Sequence, residues 1–261
     1  MSQKQEKNKL KKIIEECLSE KRGYVTEIPR DKNVIFTMTG GIDSSVGAEM
    51  VIKKWGCVIY PFYLKRGATA EKWEMEAATK VVKYLKNKYP KNIKDVFVAE
   101  APVPPQEIKK YLSIKRIVSR GHPLRNPIIY NIAVQYGTAL NDKGITLSTV
   151  LVGSVHSDYF PGSRPVDLLI DTLHACVNLD EWGWQIISPF FQSGLLAKKK
   201  FIKKIDLIKW GTKNNFPFYL TRTCTRKDEL SCGQCEECKE RLETFKTIGF
   251  NDLIRYNLLS L

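Results

Sequence analysis

The segment VIFTMTGGIDSS, residues 34–45, decides the fold class of this 261-residue chain. Its apolar part, Val34 to Met38, predicts a short strand that is buried on both faces. The residues after the two glycines begin a helical pattern that ends near Gly56. Strand, glycine turn and helix in this order are typical of the first unit of a parallel α/β sheet.

The same alternation continues along the chain. The apolar run from Cys57 to Leu64 predicts a second strand, and a helix from about residue 70 to 89 follows it. A third strand is predicted at residues 95–100, and two more within STVLVGS and WQIISPF. We therefore predict an α/β fold with a doubly wound parallel sheet, which binds its ligand at the carboxyl ends of the strands.

Two helix ends are predicted from capping residues. In the string HPLRNPIIY, Asn126 is the expected N-cap of a helix and Pro127 its first residue. In AKKKFIKKIDLIKWG, a basic helix is expected to end at Gly211.

The N-terminal region is predicted to be an amphipathic helix at residues 5–21. One side of it carries Leu10, Ile13, Ile14, Cys17 and Leu18. We expect this face to pack on the main body, and a surface for a partner chain is the alternative. The predicted division of the chain is an extension at 1–32, a nucleotide-binding α/β domain at 33–215 and a cysteine-containing region at 216–261.

Composition restricts the classes of function. The chain has 42 Lys and Arg against 28 Asp and Glu, a net charge of +14, which favours an anionic partner. A basic pI is only an electrostatic footprint, so nucleic acid stays open as a less favoured partner than a nucleotide or an acidic protein. No run of about 18 uncharged apolar residues is present, which excludes membrane insertion. The Lys-rich start lacks a signal peptide's apolar region, so we expect a cytoplasmic protein.

The glycine turn has the composition of a phosphate-binding loop. Adjacent glycines let backbone N–H groups approach a phosphate, and the following helix directs its positive end to the same point. The residues expected to bind there are Thr39, Gly40, Gly41, Asp43, Ser44 and Ser45. Asp43 would repel a phosphate, so it is interpreted as a helix-capping carboxylate, a group that organises Mg²⁺, or both. A purely structural turn is the alternative.

Four cysteines near the C-terminus have the spacing of a metal site. Cys224, Cys232, Cys235 and Cys238 supply four thiolates without a spare ligand, which favours structural Zn²⁺. An iron–sulfur cluster also takes four thiolates and is the main alternative.

These two motifs resemble those of known families. TGGIDSS resembles the SGGxDS signature of the PP-loop ATP pyrophosphatases, with Thr39 at the position of the first serine. CTRKDELSCGQCEECKERLETF is similar to the zinc-binding C-terminal signature of the 7-cyano-7-deazaguanine synthases, the QueC family, and includes Arg241 and Phe245. Pro123, Arg125 and Asn126 match that family's FxPxRN motif, and VLVGSVHSDY, with Gly153 and Asp158, resembles its strand and substrate loop.

The resemblance implies an activity. Members of the QueC family use ATP and ammonia to convert 7-carboxy-7-deazaguanine to its nitrile, by adenylation of the carboxylate. Asp43, Arg125 and Asp158 are then expected in catalysis, with Asn126 and Gly153 joining the loop residues in binding the cofactor. The expected cofactors are ATP, Mg²⁺ and Zn²⁺, and the expected partner is a small 7-deazapurine carboxylate.

The chain departs from the family pattern after Asp158. FPGSRPVD stands where family members carry an SGYPDCR-like stretch that lines the deazapurine pocket. Alternative functions therefore stay open: a relative from anti-phage defence clusters that transfers the activated deazapurine to an acceptor protein's amine, a PP-loop enzyme that modifies tRNA, or a zinc-dependent binding module. The sequence also leaves open whether the chain forms a homo-oligomer.

Overall fold

A computed structural model describes residues 3–155, 162–192, 195–196 and 201–257. The strands are β1 (Asn33–Thr37), β2 (Val58–Lys65), β3 (Phe97–Glu100), β4 (Thr149–Leu151) and β5 (Gln185–Ile187). Helices in the first half are α1 (Gln3–Arg22), α2 (Ile42–Trp55), α3 (Glu71–Lys88), α4 (Gln106–Lys109) and α5 (Ile114–Arg120). Those in the second half are α6 (Arg125–Asn141), α7 (Pro165–Leu179), α8 (Lys204–Lys213) and α9 (Glu236–Thr247).

The described strands form one parallel sheet in the order β3-β2-β1-β4-β5. Strand β1 lies in the centre, where Ile35 pairs with Tyr60 of β2 and with Val150 of β4. Sheet order reverses direction at β1, so the loops after β1 and β4 open a crevice at the carboxyl edge. The predicted α/β fold class is confirmed.

Helices cover both faces of the sheet. One apolar layer joins the sheet to α2, α3, α8 and α9, with Trp55, Leu207 and Phe245 fully buried. The other joins it to α1, α6 and α7 and contains Leu18 and Trp184, both at 0% exposure. This burial on two faces is why β1, β2 and β4 have continuous apolar sequences rather than alternating ones, whereas the edge strand β3 is mostly exposed.

Helix α1 packs against α7 and contributes directly to the core. Ile14 and Leu18 are buried in the layer formed with α6 and α7. The guanidinium of Arg22 donates hydrogen bonds to the carbonyls of Trp184, at 2.6 Å, and Val25, at 2.5 Å. The predicted amphipathic helix therefore docks on the main body through Ile14 and Leu18, whereas Leu10 and Ile13 of the predicted apolar face are exposed.

Both predicted helix ends were wrong. Helix α6 begins at Arg125 with Leu124 as its N-cap, and Asn126 lies inside the first turn, where its side-chain amide donates to Ser163 rather than capping the helix. Helix α8 continues past Gly211 to Lys213, since Gly211 packs against the ring of Phe218.

No helix within the described ranges is long and apolar enough to cross a lipid bilayer.

Candidate active site and metal centre

The glycine turn after β1 adopts a conformation that requires glycine. Gly40 has a φ of +72°, and a Cβ atom there would lie 2.6 Å from the backbone N of Ala78 and the backbone O of Glu74. Gly41 is the N-cap of α2 and makes no side-chain cap bond. The turn is therefore packed tightly against α3, and the N-terminus of α2 faces the crevice.

A cavity of about 210 Å³ lies at the carboxyl ends of β1 and β4. The loop after β1 contributes Thr39, Gly41, Asp43 and Ser44 to its wall, and the segment after β4 contributes Gly153. Gly153 approaches α2 so closely that a Cβ atom would lie 3.1 Å from the backbone N of Ser44. The structure thus brings together most of the residues that the sequence predicted for phosphate binding.

Thr39 and Ser44 line this cavity, and their hydroxyl groups contact each other. The Oγ of Ser44 accepts a hydrogen bond from the backbone N–H of Thr39 at 3.3 Å and lies 3.2 Å from the Thr39 Oγ1. Gly40 and Ser45 do not line this cavity, and Ser45 is fully buried. Thr39 and Ser44 are therefore the hydroxyl residues placed to contact a ligand.

Asp43 lies in the first turn of α2 rather than at its cap. Its interpretation as a capping carboxylate was wrong, because Gly41 holds the N-cap position. The Oδ2 of Asp43 lies 3.8 Å from the Nζ of Lys204, which also contacts Glu240. Asp43 thus stays at the cavity wall with a lysine beside it.

Arg125 and Asn126 reach the same cavity from the start of α6. The Nε of Arg125 donates to the Oδ1 of Asn126 at 3.0 Å, and the Nδ2 of Asn126 donates to the Oγ of Ser163 at 2.8 Å. The pKa of Arg125 is lowered by burial and by the nearby positive charge of Arg66. Asp158 lies outside the described residues.

The four predicted metal-binding cysteines form one cluster. The sulfur atoms of Cys224, Cys232, Cys235 and Cys238 lie within 4.8 Å of one another. Tetrahedral thiolate ligands at about 2.3 Å from a metal lie about 3.8 Å apart, and the Cys232 and Cys238 sulfurs are separated by 4.0 Å. The donor set therefore fits a tetrahedral metal site.

Backbone groups around the cluster favour thiolate. Burial raises the pKa of the Cys232 thiol, but the N–H groups of Gln234 and Cys235 outweigh it and lower the pKa to about 6. Burial raises the pKa of Cys238, and Cys235 adds to this effect. Four thiols this close cannot all ionise without a cation, which is the property of a metal-binding site.

The chain matches the family model described as "Queuosine biosynthesis protein QueC" over residues 33–249. The chain belongs to the QueC family. Both the glycine loop and the four cysteines fall within the matched QueC residues. Membership in this PP-loop family indicates an enzyme that uses ATP.

Proteins named 7-cyano-7-deazaguanine synthase are similar in sequence to this chain. The chain is 28% identical over 233 residues to the 7-cyano-7-deazaguanine synthase of Acetivibrio thermocellus, covering 86% of this chain and 98% of that protein. The corresponding synthase of Thermoplasma volcanium is 26% identical and is covered to 91%, with 87% of this chain matched. The U34-tRNA thiolase NcsA of Methanococcus maripaludis, solved with its [4Fe-4S] cluster, shares 11% identity at a TM-score of 0.42, over 92% of this chain and 75% of that one.

The crevice also contains four charged residues that no sequence motif indicated. Arg66, Glu74, Lys204 and Arg222 line a second part of the crevice, about 280 Å³, next to the glycine loop. The position of Arg66 directly after β2 was a usable signal, since strand ends converge at the carboxyl edge. Lys204 and Arg222 come from distant parts of the chain, and no local pattern marks them.

Arg222 connects the cysteine-containing region to the glycine loop. Its side chain donates hydrogen bonds to the carbonyl groups of Cys224, Arg226, Asp228 and Glu229. Its backbone N–H donates to the carbonyl of Gly40 at 2.8 Å. Arg222 thus links the loop between the first two cysteines to the glycine loop.

Proposed function

We propose that this chain activates the carboxylate of 7-carboxy-7-deazaguanine with ATP and forms a C–N bond from the activated product, as a 7-cyano-7-deazaguanine synthase. The observation that carries the proposal is the match to QueC over residues 33–249, which includes both motifs in one fold. The names of the relatives support the substrate class.

The proposed reaction begins with adenylation. A carboxylate oxygen attacks the α-phosphorus of ATP, the bond to the β-phosphate oxygen breaks, and pyrophosphate leaves. Ammonia then attacks the acyl carbon, AMP leaves, and loss of a proton gives the amide. A second adenylation, on the amide oxygen, followed by loss of AMP and protons, gives the nitrile.

Several groups in the crevice suit the pyrophosphate end of ATP. The backbone N–H groups at the start of α2 and the hydroxyls of Thr39 and Ser44 would bind the β- and γ-phosphates. Arg125 would stabilise the negative charge that develops at the α-phosphate, because it lines both parts of the crevice. Gly153 would leave room for the nucleotide beside Ser44.

The metals have separate proposed roles. Mg²⁺ bound with ATP would neutralise phosphate charge, and Asp43 is the carboxylate of the loop that suits it. The four cysteines would hold Zn²⁺ for structure, because four thiolates leave no open position for a substrate.

The test is a product analysis. The purified chain is incubated with ATP, Mg²⁺, 7-carboxy-7-deazaguanine and ammonia, and nucleotides and bases are identified by mass spectrometry. We expect AMP, pyrophosphate and the nitrile, and we expect Asp43→Ala to lose all three while its metal content stays unchanged. Production of ADP alone would refute the proposal.

Assays with and without ammonia test the alternative acceptor. If the adenylate forms but no nitrile appears even with ammonia present, and a partner protein gains the mass of the acylated deazapurine, the nucleophile is a protein amine. If tRNA rather than the small carboxylate stimulates pyrophosphate release, the enzyme modifies tRNA.

A further inference from the structure

A smaller cavity of about 150 Å³ lies beside the glycine loop, between the end of β2, α4 and the start of α6. Its charged lining consists of three cations and one carboxylate: Arg66, Lys109, Arg125 and Glu74. His122 completes the wall. Arg66, Glu74 and Arg125 also line the crevice described above, so the two spaces adjoin.

The single carboxylate of this cavity is already engaged. Arg66 binds Glu74 through both terminal nitrogens, at 3.0 and 3.4 Å, and the hydroxyl of Tyr63 donates to the same carboxylate at 3.3 Å. Within the described part of the chain, no carboxylate oxygen pairs with Lys109 or Arg125 within 4.0 Å. The cavity therefore keeps an excess of positive charge after its internal pairing.

The environment of His122 is also affected by this excess of positive charge. Burial lowers its pKa, and the positive charges of Lys109, Arg125 and Arg66 lower it further. Its Nδ1 is buried and has no hydrogen-bond partner among the described residues. Cations crowded in this way raise the free energy of the empty pocket, and a bound anion would relieve that cost.

We propose that Arg66, Lys109, His122 and Arg125 form a carboxylate subsite, which binds the acid group of the substrate next to the phosphate loop. The inference rests on the proposed function. A carboxylate suits the subsite because Arg125 presents a planar fork, Lys109 adds a point charge and His122 offers a further polar nitrogen. In the proposed function the phosphates bind hydroxyl and backbone groups in the neighbouring cavity, which leaves this subsite for the second anion of the reaction.

Lys109 offers a sharp test because the next residue is a matched control. Lys109 is half-buried at the cavity wall, whereas Lys110 is exposed on the same helical turn. The variants Lys109→Met and Lys110→Met remove the same charge from adjacent positions. Dissociation constants are measured by calorimetry for 7-carboxy-7-deazaguanine, for 7-deazaguanine without the acid group, and for inorganic pyrophosphate.

We expect Lys109→Met to weaken binding of the carboxylate ligand about 10-fold or more, the typical effect of losing a charge-assisted contact. Binding of 7-deazaguanine and pyrophosphate should change less than about 2-fold, and Lys109→Arg, which keeps the positive charge, should bind the carboxylate more tightly than Lys109→Met. Lys110→Met should match the wild-type protein for every ligand. A loss of pyrophosphate affinity in Lys109→Met, or equal carboxylate affinity in both Met variants, would overturn the subsite.

Pyrrole-3-carboxylate separates this inference from the proposed function. If the wild-type protein binds this simple acid through Lys109 but not 7-carboxy-7-deazaguanine, the subsite stands and the proposed substrate fails. If 7-carboxy-7-deazaguanine is converted to nitrile with the same KM in wild-type and Lys109→Met proteins, the proposed function stands and the subsite fails.

Discussion

The backbone N–H of Arg222 donates a hydrogen bond to the carbonyl of Gly40 at 2.8 Å, joining the cysteine-containing region to the phosphate loop. The side chain of Arg222 is buried among carbonyl groups of residues 224–229. Cys224 begins that loop, so Arg222 contacts both Gly40 and the segment that carries the first cysteine. We therefore expect metal binding by the cysteines and phosphate binding at the glycine loop to be coupled.

Removing the metal with a chelator should weaken pyrophosphate binding about 5- to 10-fold, within the usual range of coupling between two sites. By reciprocity, saturating pyrophosphate should raise the protein's affinity for the metal by the same factor. Calorimetry measures the first effect and competition with a chromogenic chelator the second. Equal pyrophosphate affinity in the metal-loaded and metal-free proteins would contradict the coupling.

Arg222→Lys should reduce this coupling while the metal stays bound. Lysine keeps the charge but lacks the planar fork that holds several carbonyl groups at once. Arg226→Lys is the matched control, because Arg226 is exposed on the same loop. We expect the control to couple like the wild-type protein, and the same loss in both variants would assign the effect to general loop disturbance.

Gly40→Ala should destabilise the protein more than Gly144→Ala. Both glycines have positive φ, +72° and +80°, so both substitutions cost about 1–2 kcal/mol from conformation alone. Only Gly40 has backbone atoms 2.6 Å from the added Cβ, whereas Gly144 has nothing within 4 Å. We expect an additional loss of about 1–3 kcal/mol in the free energy of unfolding for Gly40→Ala, measured by urea denaturation. An equal loss of unfolding free energy in the two variants would show that α3 moves to accommodate the added Cβ atom without cost.

Lys204→Met should weaken pyrophosphate binding about 10-fold, because it removes a positive charge that lies beside Asp43 at the wall of the crevice. Glu240 contacts the same lysine, but its side chain is 44% exposed on α9. Glu240→Gln should therefore have little effect on pyrophosphate affinity. If both variants lose affinity equally in calorimetry, the three groups act as a structural ion network rather than through the cavity.

Local patterns predicted the sheet but not the contacts that complete the crevice. The apolar runs before Thr39 and Gly153 identified β1 and β4, since a strand buried on both faces has a continuous hydrophobic sequence. The pairing of Asn126 with Ser163 changed a helix start that capping residues had indicated. Such a bond depends on which loop lies opposite, and nothing in the string HPLRNP encodes that.

The cysteine cluster was the easiest feature to predict because its four residues are close together in sequence. Cys224 and Cys238 are separated by few residues, so their spacing alone constrains the geometry. Arg66 and Arg222 meet the glycine loop only after the sheet and the C-terminal region have assembled. Long-range contacts of this kind leave no periodic signal in the chain.

Asp171 of α7 should make stability fall as the pH rises. Burial, aided by the negative charge of Asp167, raises the pKa of Asp171 to about 7, and its Oδ2 has no hydrogen-bond partner among the described residues. The folded state then holds a proton that the unfolded state releases near pH 4, so this contribution to stability is complete below about pH 4 and is lost up to about pH 7. Asp171→Asn should therefore be more stable than the wild-type protein by about 2–4 kcal/mol at pH 8 and by only about 1 kcal/mol at pH 4.5, in urea denaturation at both pH values. Asp142→Asn, at an exposed position, is the control and should show no such pH-dependent difference. A constant difference between Asp171→Asn and the wild-type protein at both pH values would mean that the carboxyl group does not titrate in this range.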